Sequence, residues 1–331
     1  MKFNDTVGID ISKNWIDVFV HSSQMHEVFE NSNKGIKKML KWSLKTSIYP
    51  KDQLLFIFEH TGLYSELITD LLYQEDIIFT IVSGLEIKRS LGLVRGKDDK
   101  ADSIKIALYG YRLRDEIRPF QPDNTSIKSI KKLLALRERF VKQRAGFKAS
   151  LKEQKRILKL KEDKVLLDVQ AKTINFLTNQ ISIIEQKLQE VIKENQDFKK
   201  IFNLITSIKG VGKQTALFLI AYTAGFTKFK NARKFASYCG IAPFPNKSGT
   251  SIKGRTKVSN LANKKIKSLL DMCAKTSIQS NMEMKLFYNK RVEQGKNKMA
   301  TINIIRNKIL ARIFAVVKRQ TPYVNTMKYA A

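Results

Sequence analysis

Four carboxylates stand where an acid is costly to leave alone. Asp10 interrupts the apolar run of "VGIDIS", and Glu59 closes the almost wholly apolar "LLFIFE". The segment "VRGKDDKADSIKIALYG" then gathers Asp98, Asp99 and Asp102 in a chain whose net charge is +31. In a strand, Asp10 shares a face with Gly8 while Ile9 and Ile11 take the other. Glu59 falls at a strand end, where the sites of α/β sheets collect. If residues 98–112 form a helix, Asp99 and Asp102 share a face and Asp98 points elsewhere.

Converging carboxylates raise one another's pKa unless a cation sits between them. Oxygen ligands without His or Cys suit magnesium or manganese. Ions held by Asp10, Glu59, Asp99 and Asp102 would stabilise the attacking and leaving oxygens of an in-line displacement at a phosphodiester. Each acid taken singly has an ordinary role as a cap, a surface residue or a partner of a helix dipole. The specificity lies in their joint occurrence.

These residues need elements to hold them. "TVGIDI", "WIDVFVHS" and "HEVFEN" read as three strands of a meander, "KGIKKMLKWSLK" as a helix, and "QLLFIFEHTG" as a buried strand. "LYSELITDLLYQ" is helical, "DIIFTIVS" a strand and "KADSIKIALYGYRL" a helix. Residues 1–122 are therefore expected to form a mixed α/β domain with helices on both sheet faces, compatible with an RNase H-like (RuvC-like) fold. No Pro lies between Pro122 and Pro243, and apolar residues recur at helical spacing from Ile127 to Leu151 and from Leu177 to Val191. Residues 123–200 are expected to be a long helical hairpin or coiled coil, broken around "LKEDK", serving as spacer or dimer contact. Residues 201–331 complete the chain as a mainly α-helical domain.

The charge is unevenly spread. Residues 201–331 hold 25 basic side chains and three acidic ones, Asp271, Glu283 and Glu293. Such an excess, mixed with aromatic and apolar residues, marks a folded surface for a polyanion. "LITSIKGVGKQTALFLIAY" reads as helix, tight turn, helix, similar in spacing to a helix-hairpin-helix. Its second helix would offer backbone N–H groups to a phosphate, so Lys209, Gly210, Gly212 and Lys213 are candidate nucleic-acid contacts. Cys239 and Cys273 are the only cysteines, too few for a disulfide framework or a four-cysteine zinc site, and a reducing cytoplasm fits. The sequence has neither a signal-peptide pattern nor an apolar run of membrane-spanning length, so no membrane partner is expected.

"GIDISKNWIDV", "FEHTGLYSELITDLL" and "KDDKADSIKIALYG" resemble the three acidic motifs of the DEDD transposases of the insertion-sequence-110 type, relatives of the Piv-like DNA invertases. The stretch from "LITSIKGVGK" through "GIAPFPNKSGTSIKGRTKVSN" to "KSLL" resembles that family's second conserved domain. The resemblance puts the family's acids on Asp10, Glu59, Asp99 and Asp102, and its catalytic serine on Ser248. It implies magnesium-dependent exchange between donor and target DNA, guided by a structured bridge RNA, through a covalent phosphoserine link. Long helices and strand exchange are compatible with a dimer or tetramer, and the resemblance implies action on nucleoid DNA in a bacterial cytoplasm. Lys247, Gly249, Lys253, Arg255 and Lys257 surround the serine as further candidate nucleic-acid contacts. Where the family commonly has Gly after a Ser-Lys pair, this chain reads "VSNLAN", and Asp98 is an extra acid beside the family's pair.

By spacing alone Ser248 reads as a loop residue, with Ser251 and Ser259 as rivals, and its own stretch holds no His, Asp or Glu to activate it. Two other functions use the same residues. A junction-resolving nuclease would keep the acids and employ water, and a nucleic-acid-binding protein would perform no chemistry.

Overall fold

The computed structural model describes residues 3–90, 98–157, 163–248 and 252–324. The chain divides into two compact units, Met1–Pro122 and Asp123–Ala331.

In the first unit, β1 (Asp5–Ile11), β2 (Trp15–Val20) and β3 (Met25–Glu30) form an antiparallel meander. Helix α1 (Asn33–Thr46) starts at Ser32, whose side chain accepts from the Gly35 N–H, and buries Ile36, Met39 and Leu40 at helical spacing. β4 (Leu54–Glu59), buried through Phe58, lies parallel to β1. After α2 (Glu66–Gln74), β5 (Phe79–Val82) pairs parallel to β4. α3 (Gly84–Ser90), a short helix that the apolar spacing does not announce, and α4 (Asp99–Leu113) follow. The sheet order β3-β2-β1-β4-β5 makes the expected mixed sheet. One core joins Val7, Ile9, Ile16 and Val18 to Ile36, Met39, Ile68 and Leu72. A second, around Ile57, Ile87, Ile106 and Tyr109, belongs to the face covered by α4.

The second unit is mainly helical. α5 (Thr125–Ile157) and α6 (Lys164–Glu194) run antiparallel: Arg137 Nε donates to Glu185 at 2.7 Å, Arg144 Nη1 to Thr178 Oγ1 at 3.2 Å, and Gln170 meets Gln154. The expected break around "LKEDK" falls between them, with residues 158–162 outside the described part. α7 (Gln196–Thr206), α8 (Lys213–Thr223) and α9 (Ala232–Tyr238) precede a two-stranded ribbon of β6 (Pro243–Ser248) and β7 (Ile252–Val258). α10 (Lys264–Ser280), α11 (Met282–Glu293) and α12 (Lys298–Arg319) complete it. α8 is buried almost all round and sits at the centre of a core that takes in Ile127 and Leu134 of α5, Ile184 and Leu188 of α6, and residues of α7 to α12. Asn195, Asn231, Asn263, Asn281 and Asn297 cap α7, α9, α10, α11 and α12, each accepting a backbone N–H through its side chain. Such a cap stabilises a helix by about 1 kcal/mol.

Candidate active site

β1 and β4 pair from Asp5 with Leu54 to Ile9 with Phe58, and the same offset carries Asp10 alongside Glu59. Paired residues of parallel strands share a face, so both acids lie on the side that α4 covers. Gly8 fixes the approach of that helix: a Cβ there would lie 2.3 Å from Ala107 N and 2.3 Å from Ser103 O. Thr6 Oγ1 donates to Ala107 O at 2.9 Å and ties the same two elements together. α4 thus lies directly on β1, and its first turn carries Asp99 and Asp102.

The electrostatics record that proximity. Burial, followed by the charges of Asp99 and Asp102, pushes the Asp10 carboxyl up from 3.8 to about 6, with a smaller push from Asp17 and an opposing hydrogen bond to the Ile11 backbone. Asp102 also meets Lys105 Nζ at 2.7 Å. Glu59 lies against Gly84, where a Cβ would sit 2.0 Å from its Oε1. Asp98 points away as expected and accepts from the Ala101 N–H as the cap of α4. Among the described residues, no three His, Cys, Asp or Glu side chains stand close enough together to hold a metal ion as they are. The donor set suits a hard divalent cation nonetheless: its members are carboxylates, and Asp10 is raised first by burial and then by the charges of Asp99 and Asp102, which a cation would offset.

Two buried acids have no signature in the local sequence that marks them out. Asp17 faces Asp10 across β1 and β2 and holds His26 Nε2 at 2.9 Å, with both side chains largely buried. Asp5 is fully buried and accepts from the Thr6 N–H at 2.8 Å, the Ser22 N–H at 2.9 Å, and the Ser22 and Ser47 hydroxyls at 2.5 Å. It fastens β1 to the turn after β2 and to the end of α1, and nothing in its neighbourhood in sequence announced this.

In the second unit Lys209, Gly212 and Lys213 are exposed around the turn between α7 and α8. Gly210 has φ +96°, and a Cβ there would lie 2.1 Å from Ser277 Oγ, so its glycine is required for packing on α10. Gly212 begins α8 without a side-chain cap. Ser248 is not a loop residue: it ends β6, opposite Ile252, because β6 and β7 pair although neither carries an apolar alternation. Lys247, Lys253, Arg255 and Lys257 lie on the same ribbon. Gly249 and Ser251 fall outside the described residues, whereas Ser259 follows β7 and is half-buried. Among the described residues no helix is long and apolar enough to cross a membrane.

Residues 7–158 match the DEDD transposases of the IS110 type, described as "Transposase", and residues 202–289 match the "Transposase IS116/IS110/IS902 family". The chain is 28% identical to the pilin gene-inverting proteins of Moraxella bovis and Moraxella lacunata over 326 residues, 96% of this chain and 97% of theirs. It is 27% identical over 124 residues to an uncharacterised 43.6 kDa protein of insertion element IS110 from Streptomyces coelicolor, covering 38% of this chain and 30% of that one. Together with the acid-bearing sheet end, these matches define a class, the DNA recombinases that act by phosphoryl transfer. The chain belongs to the DEDD transposases of the IS110 type.

Proposed function

We propose that this transposase cuts and exchanges strands between donor and target DNA, that a structured bridge RNA guides it, and that Ser248 is the nucleophile. The observation that supports the chemistry best is the strand register that sets Asp10 beside Glu59 under the helix bearing Asp99 and Asp102. The order β3-β2-β1-β4-β5, with three antiparallel strands followed by two parallel ones, supports an RNase H-like reading of that unit. Asp10, Glu59, Asp99 and Asp102 would hold magnesium or manganese, which supplies positive charge to the attacking and leaving oxygens of a phosphodiester. Ser248 Oγ would form a bond to phosphorus as the bond from phosphorus to the leaving sugar oxygen breaks; the serine loses its proton and the leaving oxygen gains one.

The turn at Lys209, Gly210, Gly212 and Lys213 is read as a helix-hairpin-helix-like contact for a nucleic-acid backbone. In support, α8 starts with an exposed Gly212 where five other helices start with a capping Asn. Lys247, Gly249, Lys253, Arg255 and Lys257 are proposed to flank the DNA beside the serine. The antiparallel α5 and α6 support a hairpin joining the unit of residues 1–122 to the domain of 201–331, and a dimer or tetramer is the proposed working state. The relatives named for inverting a pilin gene favour rejoining of strands over simple cleavage, since an inversion must reseal its ends.

Ser248→Ala should abolish covalent protein-DNA adducts on DNA matched to the co-purified RNA, with nucleic-acid binding kept. Adducts that persist in Ser248→Ala would refute the nucleophile. Free phosphate ends without adducts in the wild type would point to water instead.

A further inference from the structure

Beside the acids lies an aromatic rim that none of the chemistry above uses. Trp15 opens β2 and is 52% exposed. Because Asp10 pairs with Asp17, Trp15 lies on the same sheet face as both, one pleat beyond Asp17. Val28 pairs with Asp17 and is also exposed on that face. A single 3-10 turn, Gly62–Ser65, follows Glu59 closely and exposes Leu63 (77%) and Tyr64 (46%). Asn31 clamps the two sides together, its Nδ2 donating to Ser12 O and to Tyr64 O at 3.0 Å each. Ser12 and Trp15 lock the other loop, with Ser12 Oγ donating to Trp15 O at 2.9 Å and the Trp15 N–H donating back to Ser12 Oγ at 3.2 Å. The apolar side chains are therefore held out by ordered backbone. Trp42, the second tryptophan, packs instead against Phe29.

Apolar residues exposed singly are common on any protein, but here Trp15 and Val28 share the acid-bearing face while Leu63 and Tyr64 stand on the turn that Asn31 ties to the loop before Trp15. Without a bound cation, Asp10, Asp17 and Glu30 on this face repel a phosphate, whereas the neutral ring of a base is not repelled. Lys13 in the same loop is exposed and suits the adjoining phosphate. A base inside a duplex is already stacked, so only an unpaired one has a free ring face to offer.

We propose that the rim of Trp15, Val28, Leu63 and Tyr64 stacks an unpaired nucleobase next to the phosphate on which the acids act, which rests on the reading of those acids given above. The test uses the full chain carrying Trp42→Phe, so that Trp15 is the sole tryptophan, without divalent metal. A labelled oligothymidine single strand should quench Trp15 emission as its anisotropy rises, and a hairpin duplex should quench far less. Trp15→Ala should weaken single-strand binding by about 5- to 100-fold, Trp15→Phe by much less, and duplex binding hardly at all. Unchanged emission with the single strand bound would overturn the proposal, as would equal weakening of both ligands by Trp15→Ala. A change in emission with protein concentration alone would also overturn it and assign the rim to a second copy of the chain. Repeating the titration in Asp102→Asn protein makes the result independent of whether the acids perform the chemistry.

Discussion

Asp10 carries an electrostatic cost to the fold. Its pKa of about 6 in the folded chain stands above the ordinary 3.8, so between those values the native state binds more protons than the unfolded one. Stability of the metal-free protein therefore falls as pH rises through that window, and the whole penalty is present above pH 6. Asp10→Asn is expected to raise the metal-free thermal midpoint at neutral pH, with the gain vanishing below the lower end of the window. If the proposed site binds magnesium, the ion should raise the wild-type midpoint and Asp10→Asn should remove most of that rise; calorimetry with and without magnesium reads both effects. Asp5 serves the fold, its buried carboxylate accepting four hydrogen bonds. Asp5→Ala leaves those donors without an acceptor and should cost roughly 3 kcal/mol or more in chemical denaturation.

At the scale of elements, the seat of α4 on β1 decides where Asp99 and Asp102 stand. Gly8→Ala places a methyl 2.3 Å from the helix backbone, so the helix must back away and take both acids with it. Strand cleavage should fall on the order of 100-fold, as displacements of about 1 Å produce, together with a lower thermal midpoint. Retention of full activity in Gly8→Ala would mean that this contact does not set the site. The meander and the buried β4 were legible because a period of two, or a short unbroken apolar run between turn residues, fits a strand better than any other element. Asp10 and Glu59 stood out as acids within such runs. α3 is seven residues long and too short to show a period. The ribbon of "PFPNKS" and "IKGRTKV" holds two prolines and no apolar alternation, so only its cross-strand pairing, with a register shift between Phe244 and Asn246, reveals it. Trp15, Asp17 and His26 acquire meaning from strand register, which no local pattern encodes.

Across the whole molecule the charge divides more sharply than sequence halves suggest. The unit Met1–Pro122 holds 17 basic and 17 acidic side chains and is neutral, while Asp123–Ala331 holds 44 basic and 13 acidic ones and carries the entire +31. The acids proposed to hold the metal and the excess positive charge thus lie in different units of one chain, and substitutions at the acids and at the lysines should have different effects. Binding to duplex DNA should weaken linearly in log salt, with a slope set by the number of phosphates that the second unit neutralises. Lys209→Gln with Lys213→Gln is expected to flatten that slope by about 2 while lowering affinity at every salt concentration. Lys41→Gln, on an exposed position of α1, should leave the slope unchanged. Asp102→Asn should abolish strand joining without weakening binding, because removing a carboxylate removes repulsion and no phosphate contact. Fluorescence anisotropy over a salt series, run beside a joining assay on the same preparations, separates these outcomes. A slope that responds to Lys41 and not to Lys209 and Lys213 would place the polyanion on the neutral unit and contradict the division.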